Sequence, residues 1–264
     1  MTLMVALAVL IASPLVVLLL TAFRERSEYA TNGPFALPQS FTLSAFERYL
    51  EGVNFPLALV NSITISLIVA VVAVFLSMLA AYAIGIGRIR GGAAVTAIML
   101  FATMLPQEAT IYPLFYGAQA LGIRDSIWSV IIIFSVLQAA FGTYLLGSLM
   151  ATFPPSLLEA ARLDGASRWQ LLWRIVFPVM RPTLSVLVIF FFIWTWNEFY
   201  VPAVMLTDPA VQTVPIALST VRGQFSTDIT QLNAGSLLSL LPTLIFFLLF
   251  QRTLTRGITA GSVK

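Results

Sequence analysis

Two carboxylates, Glu108 and Glu198, stand inside long apolar runs, with aromatic and amide groups close by in the chain. Tyr112 and Tyr116 follow Glu108 at one and two helical turns, and Trp194, Trp196, Asn197 and Tyr200 surround Glu198. Hydrocarbon cannot solvate an ionisable group, so at membrane depth such a group faces a cavity, an aqueous path or a partner. Flat aromatic faces beside amides and carboxylates bind polyols, which makes Glu108, Tyr112, Asn197 and Glu198 candidates for lining a substrate pathway. The same acids would serve as proton or cation sites in an ion-coupled carrier. Trp and Tyr also collect at membrane interfaces as plain anchors.

The other concentration of chemistry is Ser156 to Pro178, a charged stretch between two apolar segments. Ser156 precedes Glu159 by three positions, a capping-box spacing that predicts a short helix. Gly165 suits the left-handed residue that stops it. Ser167 then caps a second short helix, Arg168 to Val176, closed by Pro178 and Pro182. Ala160 and Ala161 leave the first helix thin on one side, and Arg162 and Asp164 give it a charged rim. A thin, rimmed helix fits a cleft in another protein. The alternative is an amphipathic connector holding Trp169, Leu171, Leu172 and Trp173 at the membrane interface.

The elements that must position these groups are membrane helices. Of 264 residues, 59% are hydrophobic and 9% charged, and the mean hydropathy is +0.95; this is an all-α polytopic membrane protein. The chain holds no His and no Cys, which excludes thiol nucleophiles, disulfides and Ser-His-Asp triads and leaves no expected metal site. No G-x-x-x-x-G-K-[ST] phosphate loop is present. The formal net charge of +3 sits at helix ends, where membrane topology accounts for it, so no nucleic-acid partner is expected.

A single transmembrane domain over 1–264 is predicted, with six spans at about 1–23, 61–84, 93–118, 127–150, 183–205 and 232–251. The first run lacks the basic start and small-residue cleavage site of a signal peptide and is expected to be retained. Within the polar connection 24–60, Ser44 and Glu47 repeat the capping-box spacing, and Phe46, Tyr49, Leu50 and Val53 share a face; the helix lies on the membrane surface or packs on its neighbours. Ala70, Ala73, Ser77 and Ala80 permit close helix approach in lipid, while Pro106 and Pro113 favour bends. Nine basic residues, among them Arg88, Arg162 and Arg256, fall on one face, against five, including Arg124 and Arg222, on the other. Both termini and the loop 151–182 are therefore expected in the cytoplasm, and the connection 24–60 outside.

Glu159-Ala160-Ala161, Gly165 after three residues, Ile175 after nine more, and Pro178 together resemble the EAA loop of permease subunits of binding-protein-dependent ABC importers. Phe177 stands where that pattern favours Leu. Asn61-Ser62, Ala80-Ala81-Tyr82-Ala83, Asp164-Gly165-Ala166-Ser167, Trp196-Asn197-Glu198-Phe199, Gln251-Arg252, Gly257-Ile258 and Gly261-Ser262-Val263-Lys264 resemble, in that order, the sugar branch of the family, the maltose permease G-like type.

The resemblance implies the type I importer permease (MetI-like) fold and a bacterial inner-membrane location. It implies a coupling helix, carried by Glu159, Ala160, Ala161, Asp164 and Gly165, that docks on a separate ATPase. A tail marked by Arg252, Gly257 and Lys264 would face that ATPase. Partners would be a second homologous permease, two ATPase subunits holding ATP and Mg, and a periplasmic or lipid-anchored solute-binding protein. This chain would need no cofactor, would not itself be an enzyme, and would form half of a sugar pathway. Polyamines or amino acids are the alternative cargo. Ala161→Asp is the substitution expected to test docking with the loop intact.

Overall fold

Apolar, helix-forming runs punctuated by Pro and Gly fold, in a computed structural model, into successive helices. The structure describes residues 1–221 and 227–260, with backbone alone at 2, 3, 5 and 253–260. The helices are α1 (Thr2–Ala22), α2 (Arg26–Asn32), α3 (Ser44–Gly52), α4 (Phe55–Ala81), α5 (Gly92–Met104), α6 (Gln107–Ala120), α7 (Ile127–Ala151), α8 (Pro155–Leu163), α9 (Arg168–Gln170), α10 (Phe177–Asn197), α11 (Tyr200–Met205), α12 (Val214–Thr220) and α13 (Ile229–Ala260). Wider π-type turns continue α4 through Tyr82–Ile86 and join α9 to α10 through Leu171–Val176.

Among the described residues, four helical stretches are long and apolar enough to cross a membrane: Phe55–Ile86, Ile127–Ala151, Arg168–Asn197 and Ile229–Arg252. The pair α5 and α6, bent by 100°, offers a fifth, and Ala6–Ala22 is a shorter apolar helix. The span predicted at 93–118 is thus two helices. Pro106 supplies no donor and pushes Leu105 into extended backbone, and the bend falls there.

The chain divides into two units, 1–62 with 208–247 and 63–207 with 248–264. In the first, Ala22, Ala45 and Ala234 form a small-residue core with Phe23 and Phe46 against it. Gly235 is required there, because a Cβ would collide with the Tyr49 ring. Burial pushes the Tyr49 phenol up to about 12. The helix α3 starts with Leu43 as its cap, and no side chain caps it. The Ser44–Glu47 box does not form, because Ser44 Oγ donates to Glu25 Oε1 at 2.9 Å. With Ala45 and Tyr49 fully buried, α3 packs on protein.

Asp228 caps α13 in the same unit. Its Oδ1 accepts from the Thr230 and Gln231 amides at 3.1 and 3.2 Å, and its Oδ2 lies 3.3 Å from Arg48 Nε. Burial raises the Asp228 carboxyl, but the Thr230 and Gln231 hydrogen bonds with Arg48 and Arg26 outweigh it and hold it below its ordinary value. Arg24, fully buried, donates to Glu28 Oε1 and to the Gly33 carbonyl at 3.2 and 2.9 Å. Asn61 and Ser62 hold the connection before α12, donating to Ala210 and Gln212 carbonyls and accepting from the Val214 amide.

The second unit is organised by small residues. Ala70, Ala73 and Ser77 are fully buried, and Ser77 Oγ donates to the Ala73 and Ala139 carbonyls at 2.6 and 3.2 Å. A Cβ on Gly142 would strike Ser77 and come within 3.1 Å of Phe191, so α4, α7 and α10 meet at this point. Gln138 on α7 donates to Thr195 Oγ1 on α10 at 2.8 Å in the buried interior.

Candidate functional site

The helix α10 ends at Asn197 because Glu198 adopts extended backbone (φ −75°, ψ 129°), and α11 restarts at Tyr200. The single span predicted at 183–205 is therefore interrupted at Glu198. The break before α6 lies beside it: Gln107 Nε2 is 3.4 Å from Glu198 Oε2. Gln107 is not among the residues that the sequence singles out. Gln107 is signalled only by its place after Pro106, since an amide at a helix break has a side chain available for a partner.

Asn197 donates to the Ile193 carbonyl at 2.7 Å, and with Glu198, Phe190, Ile193 and Trp194 it borders an open cavity of about 410 Å³. Tyr112 borders a different one, of about 280 Å³, with Phe115, Tyr116 and Tyr200. Glu108 is exposed in the first turn of α6 and lines neither. Trp196 is buried and stacks on Phe192, so it belongs to the core. The four candidates thus fall around two adjoining helix breaks, on two surfaces.

At the other end of α10 lies the charged loop. The helix α8 starts at Pro155 with Pro154 as its cap, and no side chain caps it. Ser156 lies one residue inside the helix, so the Ser156–Glu159 box does not form; proline at the first position sets the helical φ instead. Gly165 has φ +79°, and Ala166 N donates to the Ala161 carbonyl at 3.0 Å, which closes α8 as the sequence predicts. Ser167 and Gln170 form a full capping box.

The helix begun by that box is not closed at Pro178 and Pro182. Arg168–Asn197 is one continuous stretch of 30 residues. The prolines fall in the first turns of α10, just after the wide turn Leu171–Val176 has changed the hydrogen-bond register. The loop's second half is thus the beginning of a transmembrane helix.

Within α8, Glu159 and Ala160 face outward, and Leu163 is 89% exposed. Ala161 is buried, and α8 packs on Leu171–Val176. An Asp at 161 would therefore disturb the loop itself, and Ala160 is the position that leaves it intact. The end of α4 holds the loop as well: Tyr82 Oη donates to the Arg168 carbonyl at 3.0 Å, and Phe75 stacks on Trp173 at 6.2 Å. Of the predicted tail residues, Arg252 is exposed on α13, Gly257 lies in its helical backbone, and Lys264 lies outside the described residues, as does Arg222.

One short exposed helix, α8, therefore leads directly into a helix long and apolar enough to cross a membrane. Residues 73–258 match the family described as binding-protein-dependent transport system inner membrane component. The chain is 30% identical over 253 residues to the inner membrane ABC transporter permease protein YcjP of Escherichia coli (strain K12), covering 95% of this chain and 90% of that one. It is 30% identical to the trehalose transport system permease protein SugB of Mycobacterium tuberculosis (strain CDC 1551 / Oshkosh), covering 86% and 84%. A crystal structure of a bacterial ABC transporter involved in the import of the acidic polysaccharide alginate shares the fold, with a TM-score of 0.82 at 23% identity over 95% and 93% of the two chains. This chain belongs to the family of inner membrane components of binding-protein-dependent transport systems.

Proposed function

We infer that this chain is one permease half of an ATP-driven importer for a sugar. It pairs with a second, homologous permease and receives its cargo from a solute-binding protein. ATP and Mg are held by separate ATPase subunits that dock on α8 through Glu159, Ala160, Asp164 and Gly165, with Ala161 supporting the helix from beneath. Both termini and the loop face the cytoplasm, and the tail with Arg252, Gly257 and Lys264 lies on the ATPase side.

The observation that carries this reading is the continuity of Arg168–Asn197. At 1.5 Å per residue, 30 residues make a rod of about 45 Å. One end is the docking loop and the other is the Asn197–Glu198 break, so a push on the loop moves the break as a rigid body. Cargo contacts are assigned to Asn197 and Glu198 on one surface and to Tyr112, with Glu108 nearby, on the other. The trehalose relative and the aromatic and amide inventory at the breaks support a sugar as cargo.

The test is uptake of a panel of labelled sugars by the reconstituted complex, with Ala160→Asp as the docking variant. Uptake of one sugar class, lost in Ala160→Asp together with ATPase retention, is the expected result. Uptake that follows an ion gradient without ATP, or that persists in Ala160→Asp, would overturn it.

A further inference from the structure

The turn after α4 carries features that docking through α8 alone does not use. Arg88 has φ +48°, in the left-handed region, where a non-glycine residue persists only if its surroundings hold it. They do: a Cβ on Gly85 would lie 2.9 Å from Met150 Cβ, so the turn is pinned against α7. Between this turn and α8 is a cavity of about 190 Å³, lined by Arg88, Phe153, Pro155, Glu159 and Arg162 among others.

Among the described residues, no ion pair involves Arg88, Arg162 or Glu159. Two guanidiniums against one carboxylate leave the cavity with a formal charge of +1. Nearby Arg90, Arg168 and Arg174 are also exposed and without an ion pair, and Asp164 is the further acid. Five arginines against Glu159 and Asp164 make this face +3. Guanidinium forks bind carboxylates in a fixed, two-bond geometry, and a face this basic selects an acidic partner surface.

We propose that the cavity between the turn after α4 and α8 is a socket for an acidic side chain of the docked ATPase subunit, whose carboxylate Arg88 and Arg162 hold. This rests on the docking of α8 and extends the docking surface beyond the 151–182 loop. The turn pinned against α7 places the Arg88 backbone at the cavity wall before the partner arrives. Glu159, in the same cavity, repels a wrongly placed acid and limits the socket to one carboxylate.

The experiment measures ATPase retention by the tagged full complex in nanodiscs across a KCl series, for wild type, Arg88→Gln, Arg162→Gln and the double variant. Each is run in zwitterionic lipid and in lipid containing phosphatidylglycerol, with Ala160→Asp as the reference. The double variant should weaken retention about tenfold and flatten its salt dependence in both lipids. Unchanged retention and salt slope, with retention lost in Ala160→Asp, would overturn the socket alone. An effect confined to the anionic lipid would overturn it in favour of a headgroup phosphate. Retention unaffected in Ala160→Asp as well would overturn the docking reading itself.

Discussion

Gly142→Ala tests whether the permease core rests on the close approach of α4, α7 and α10. The added methyl would collide with Ser77 Oγ, lie 2.9 Å from Ser77 Cβ and 3.1 Å from Phe191 Cζ. Overpacking of this kind costs about 1–3 kcal/mol, and displacing Ser77 Oγ from the Ala139 carbonyl adds about 1 kcal/mol. Against this, Ala gains about 0.5–1 kcal/mol over Gly within a helix. The net is about 1–3 kcal/mol of destabilisation, or a melting temperature lower by about 3–10 °C for a chain of this size. Gly147 is on the same helix, and a Cβ there meets nothing within 4 Å. Gly147→Ala should therefore leave the melting temperature unchanged or raise it slightly. Thermal unfolding in detergent, read by tryptophan fluorescence, compares the two, and Ser77→Gly with Gly142→Ala should recover part of the loss. Equal effects at 142 and 147 would refute the packing argument.

Acid sensitivity is expected at Asp228. Its folded pKa is depressed, so the stability it contributes is full above the unfolded value, about 3.9, and is lost as pH falls through the lower folded value. Between pH 6 and about 3 the wild type should lose more melting temperature than Asp228→Asn; equal losses would remove Asp228 from the account. Gln138→Leu leaves the buried Thr195 hydroxyl without its donor and should cost about 0.6–1.7 kcal/mol, the range of such interhelical bonds in membranes. Repacking without loss would show up as an unchanged melting temperature.

What the sequence made legible followed strong local signals. The helix α7 lies close to the predicted 127–150, between the turn at Arg124 and Asp125 and the prolines at 154 and 155. Gly165 and Ser167 were read correctly because their roles depend on their own backbone and near neighbours. The small-residue pattern of α4 likewise gave the close approach seen at Ser77. The break at Glu198 is signalled in the sequence by Pro202, which has no N–H for the Glu198 carbonyl and crowds it, but residues 196–199 are themselves compatible with a helix and hide it. The prolines at 178 and 182 misled in the opposite direction, because a π-type turn ahead of them let the helix continue. Ser156 does not act as the predicted cap because Pro154-Pro155 moves the helix start two residues earlier. Which way Ala160 and Ala161 face was beyond sequence reach, as it depends on the packing of α8 against Leu171–Val176.

The continuity of Arg168–Asn197 is tested most directly by inserting Gly-Gly after Ser185, midway along the rod. Assembly depends on the loop and should survive, so the inserted complex is expected to retain its ATPase subunits while ATP-driven sugar uptake falls to background. Uptake at the wild-type rate from the assembled complex would contradict the lever and with it the proposed route from docking loop to helix break.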